Sequence, residues 1–127
     1  MEGLSLEQAR PLIEEGLTYT SGTHLFEDVV AMVSAGFLTF WSGPQSVVLT
    51  EILQSPRKKI FNVWLVAGAM HELRAMYPLI EQWAKDQGCD LATFTGRPGW
   101  ERSFLPKEEG WKTQLVVMTK EFVGVEA

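Results

Sequence analysis

Apolar positions recur at helical spacing in the first third of the chain. In "SLEQARPLIEEG" the residues Leu6, Ala9, Leu12 and Ile13 share one face of a 3.6-residue period. Ser5, with Gln8 three residues on, forms a capping-box pattern. Pro11 predicts a kink or an early stop, and Gly16 can end the helix. "THLFEDVVAMVSAG" repeats the helical spacing with Leu25, Phe26, Val29, Val30, Met32 and Val33, and Gly36 stands where it would stop. The period then changes. "FLTFW", "SVVLTEIL" and "KIFNVWLVA" are rich in residues that suit a pleated surface, and the proline-bearing separators "SGPQ" and "QSPRKK" predict a three-stranded meander. "PLIEQWAKDQG" predicts a helix with Pro78 in its first turn, Leu79, Ile80, Trp83 and Ala84 as its buried stripe, and Gly88 as its end. "CDLATFTG" reads as a fourth strand, reached by a βαβ crossover and therefore parallel. "PGWERSFL" reads as a short helix or turn, and "WKTQLVVMTKEFV" as a last strand. The predicted order is ααβββαβ(α)β, an α/β fold with one mixed sheet flanked by helices.

Composition bounds what such a fold can do. The 127 residues, 46% hydrophobic and 21% charged, predict one domain over residues 1–127 with a core of its own. A net charge of −5 argues against general nucleic-acid binding, which needs a basic face. The exception is local, at Arg57, Lys58 and Lys59 in the "SPRKK" hairpin tip, which could touch nucleic acid or an acidic partner, or simply be solvated. Cys89 is the single cysteine, so no intrachain disulfide forms. It reads as a small buried hydrophobe. Two histidines and one cysteine give no zinc motif, and no metal is expected. No apolar run approaches the roughly 18–20 residues of a membrane span. The acidic start "MEGLSLEQARP" lacks the order of a signal peptide, so a cytosolic protein, or one assembled in a cytosol, is expected.

The element order, with "AKDQGCDLATF" and the later "EEGW", resembles the GNAT superfamily of acyl-CoA N-acyltransferases. The resemblance covers roughly residues 37–123. It implies a strand, "FNVWLVAG", that splays from its neighbour "CDLATFTG" to hold a pantetheine arm, and a following turn and helix start that bind pyrophosphate through backbone N–H groups. More narrowly, "LTEILQSPRKKIFNVWLVAG" and "QGCDLATFTGRPGWERSF" resemble small GNAT-like proteins of tailed bacteriophages. Two departures stand out. The family's pair of phosphate-loop glycines falls near His71 and Leu73, where a side chain would block close backbone approach. The family's general-acid tyrosine falls in "FLPKEEGW", which offers Leu105 and Pro106.

Two function classes follow. The first is a phage-encoded, non-catalytic GNAT-like protein acting through protein contacts in the virion or its assembly, with no cofactor. Its partners would be other phage structural proteins or copies of itself. It would sit in the host cytoplasm during assembly, or in the virion. Its contact residues would be Arg97, Trp100 and Arg102, types suited to interface anchors, and Arg57 and Lys58. Trp100 could equally plug the end of the sheet, with Arg97 capping carbonyls. The second class is an acetyl-CoA-dependent N-acetyltransferase acting on an amine. There Ala67, Gly68, Ala69, Met70, His71 and Leu73 would hold the coenzyme, and Glu72 is the candidate base. The plainer reading of Glu72 is an acid placed to complement a helix dipole.

Overall fold

The computed structural model describes residues 2–122 as two compact units, one ending at Arg97 and the other beginning at Pro98. In the first, α1 (Arg10–Leu17) and α2 (Phe26–Ser34) precede β1 (Thr39–Gly43), β2 (Ser46–Gln54) and β3 (Lys59–Gly68). Helix α3 (Met70–Asp86) and strand β4 (Leu91–Phe94) complete it. The second unit holds a 3-10 turn (Pro98–Arg102) and a short helix α4 (Phe104–Glu108).

The sheet order is β1-β2-β3-β4. The first three strands are antiparallel and β4 is parallel to β3, as the meander and crossover predicted. On one face Ala9, Ile13 and Leu17 of the α1 region and Phe26 and Val29 of α2 pack with Val47, Leu49 and Leu65. The other face receives α3, whose Trp83 meets Trp41 and Phe61 edge-on at centroid distances of 5.3 and 6.1 Å. Thr50 faces Val63 while Leu49 faces Leu65, so Trp64 is an extra residue, a β-bulge in β3.

Local signals hold where a short-range contact decides them. Ser5 and Gln8 form the reciprocal capping bonds, at 2.8 and 3.1 Å, although the α-helix itself starts later, at Arg10. Pro11 falls in that first turn, where its missing N–H costs nothing, so it neither kinks nor stops the helix. Gly16 lies inside α1, not at its end. A Cβ there would come within 2.9 Å of the Leu65 side chain, so the glycine lets helix and sheet approach. The "SPRKK" tip is a tight turn in which Ser55 N–H donates to the Lys58 carbonyl at 2.9 Å.

Two further expectations are corrected. Helix α3 begins at Met70 and carries Pro78 in its interior. Its buried stripe is Leu73, Met76, Tyr77, Ile80 and Ala84. Leu79 is exposed and Trp83 half-buried. Pro78 is tolerated because it lies on the exposed face, where solvent can reach the carbonyl deprived of its donor. The predicted last strand is also absent from the described residues. Residues 110–122 form no strand, and Leu115 and Met118 are 89% and 90% exposed. Strand propensity measures fit to a neighbour, and no strand pairs with this run among the described residues. Val123, the end of the predicted run, lies outside the described residues.

Candidate functional site

Strand β4 accompanies β3 only from Ile60 to Val63, and the Thr95 N–H reaches the Val63 carbonyl at 3.4 Å. Beyond that point residues 64–68 of β3 have no strand on the β4 side among the described residues. β4 itself ends at Phe94, opposite Val63, so the unpaired edge of β3 begins next to the bulge at Trp64. Arg97, just past β4, lies over the Tyr19 ring at 4.4 Å and donates to its hydroxyl at 3.3 Å, which ties the chain leaving β4 to the loop after α1.

At the far end of β3 the chain turns into α3 within one residue, Ala69. Gly68 has φ +111°, and a Cβ there would lie 2.2 Å from the Gln45 carbonyl oxygen. That carbonyl accepts the Ala69 N–H at 3.0 Å. Glu72 then returns the link: one carboxylate oxygen accepts from Gln45 N–H at 2.9 Å and from the Ser46 hydroxyl at 2.6 Å. Glu72 is 5% exposed, and the Ser46 bond holds its carboxyl below the ordinary carboxylate range. Burial opposes this, while the Gln45 N–H and the nearby His71 support it. His71 itself is exposed, its Nε2 3.9 Å from Glu72.

The residues read as a coenzyme loop are therefore brought together, but not as a loop. Ala67 and Gly68 end β3, Ala69 caps α3, and Met70, His71 and Leu73 lie in the first helical turn. Leu73 is buried in the core, so its side chain fills a place the resemblance assigns to glycine. Only the N–H groups of Met70 and His71 remain without a helical acceptor, since Glu72 and Leu73 donate to the Ala69 carbonyl.

Arg57 and Lys58 are exposed at the opposite end of β3 from this junction. Lys59 is committed, donating from Nζ to the Gln87 carbonyl at 2.5 Å. In the second unit Trp100 is half-buried in the 3-10 turn, its carbonyl accepting from Ser103 Oγ at 2.7 Å, and Arg102 is exposed. One polar group escaped the sequence reading. Asn62 Nδ2 donates to Glu51 Oε2 at 2.7 Å, and Thr93 Oγ1 donates to Asn62 Oδ1 at 2.7 Å. Its members are 11 and 31 residues apart, and only strand register makes them neighbours.

A mixed four-stranded sheet between helices, with a long strand β3 and a short parallel neighbour β4 joined through α3, is the GNAT-like α/β fold. Solved structures agree. Protein BH1408 of Bacillus halodurans, as a tetramutant, superposes with a TM-score of 0.68 at 11% identity, over 95% of this chain and 98% of that one. The wild-type protein TTHA1254 of Thermus thermophilus gives 0.64 at 15% identity, over 99% and 100%. The aminoglycoside N-acetyltransferase AAC(6')-Iy, solved in complex with CoA, gives 0.61 at 11% identity, over 91% and 88%. At these identities the likeness is one of fold. No protein-family pattern and no curated protein matches the chain. No helix among the described residues is long and apolar enough to cross a membrane.

Proposed function

We propose that this chain is a non-catalytic GNAT-like protein that works through protein contacts, as a component of a tailed-bacteriophage virion or of its assembly. The observation that carries the reading is the β3–α3 junction. A pyrophosphate needs a loop that wraps it, and here a single residue separates strand from helix, with its N–H already given to Gln45. The residues present do not fit the phosphate end of acetyl-CoA. Arg97, Trp100, Arg102, Arg57 and Lys58 are the proposed contact residues, toward other structural proteins or copies of this chain. The bacteriophage setting rests on the likeness of the Pro-Arg hairpin in "SPRKK", the "GC" before the fourth strand and the "GRPGW" after it. Calorimetry with acetyl-CoA should give no saturable heat. A dissociation constant below roughly 50 μM, about −6 kcal/mol, overturns the proposal.

A second reading, an N-acetyltransferase acting on an amine, is favoured by one observation: β3 past Val63 has no strand on the β4 side among the described residues, which is where the resemblance places the pantetheine arm. In that reading Glu72 would have to leave Ser46 and Gln45 before it could take a proton.

A further inference from the structure

The sheet face under α1 and α2 is covered over only part of its length. Strand register sets the rows. Val47 beside Ala67 and Leu49 beside Leu65 pack in the helix-covered core. The next row is Glu51, Asn62 and Thr93, and the one after it is Leu53, Ile60 and Leu91. Residues two apart in a strand share a face, so both rows continue that side of the sheet. The last row is apolar and open, with Leu53 43% and Leu91 44% exposed.

Glu51 stands in the row next to this strip, on the same face. Asn62 uses its amide N–H on Glu51 and its carbonyl on Thr93, and Asn62 is itself buried, so the carboxylate is held from one side. One Glu51 oxygen is thereby used. The other has no partner among the described residues, and Glu51 as a whole is half-buried. Lys59 does not neutralise it, because that side chain runs to Gln87 at the end of α3, on the opposite face. A fixed carboxylate oxygen beside an apolar row suits a primary ammonium on an aliphatic stem. Successive same-face rows lie about 6.5 Å apart along the strands, roughly the reach of a lysine's four-carbon stem.

The geometry points to a lysine-binding face on this sheet. The side chain of a lysine presented by a partner protein lays its stem on Leu53, Ile60 and Leu91 and sets its ammonium against Glu51. The inference rests on the protein-contact reading and names the chemistry of the partner. It is tested with the full isotope-labelled chain, titrated with Nα-acetyl-lysine methylamide and, separately, with the norleucine analogue. The lysine compound should shift the backbone amides of residues 51–53, 60–62 and 91–93 saturably. Norleucine, which has the stem without the charge, should bind at least about tenfold more weakly, the loss of one charge-assisted bond. Glu51→Gln keeps an acceptor for Asn62 and should weaken lysine by the same factor. Equal binding of the two compounds, an unchanged affinity in Glu51→Gln, or shifts confined to other residues overturns the inference. Acetyl-CoA added to the same sample separates the two claims. Shifts at residues 67–73 would overturn the non-catalytic reading and leave the lysine result standing, whereas silence with lysine alone overturns only the present inference.

Discussion

Glu72 takes two hydrogen bonds on one oxygen, and both are strengthened by its being a carboxylate. Its folded pKa lies below 4.5, the ordinary value. A group lowered on folding contributes stability that is fully present above the unfolded value and is lost as pH falls through the folded one. The wild type should therefore exceed Glu72→Gln in urea midpoint at pH 7, and the gap should close as pH falls below about 4.5. A gap that stays constant down to pH 3 would show that the charge is not what holds the junction. In the sequence Glu72 could be placed at a helix start and no further, because its partner Ser46 is 26 residues away. Glu51 was illegible for the same reason: nothing local marks it, and its role appears only once β2, β3 and β4 are in register.

At the scale of elements, the strands were legible because each is bounded by a turn with its own chemistry, Pro56 for the β2–β3 tip and Gly88 before β4. The start of α3 was not. Pro78 mimics a first-turn proline, and the Leu73, Met76, Tyr77 spacing that reveals the earlier turns sits behind a glycine that reads as loop. Gly68 is part of β3 and lets the Gln45 carbonyl come close. The two packing glycines give a graded test. Gly16→Ala meets the flexible Leu65 side chain and should cost about 1–3 kcal/mol. Gly68→Ala meets backbone and demands a positive φ from a residue with a Cβ, so it should cost more than about 3 kcal/mol. Urea unfolding of both variants decides it. A Gly68→Ala cost no greater than that of Gly16→Ala would mean the junction is not fastened to the β1–β2 turn.

At the scale of the whole molecule, fold class was readable because the alternation of helical and strand periods fixes the layering of the first ninety-odd residues. The end of the chain was not, since an apolar run becomes a strand only where an edge receives it. That run has a consequence for how the protein behaves in a tube. Residues 113–119, "TQLVVMT", carry no charge and no proline between Lys112 and Lys120, the profile of a segment that stacks with its own kind. At neutral pH a net charge of −5 keeps copies apart. Near the isoelectric point, about pH 5.0, that repulsion vanishes while the segment is unchanged. Light scattering should then climb steeply as pH approaches 5. Val117→Lys should flatten the climb across its own isoelectric range without moving the melting temperature. Equal scattering from both proteins would assign the colloidal minimum to net charge alone.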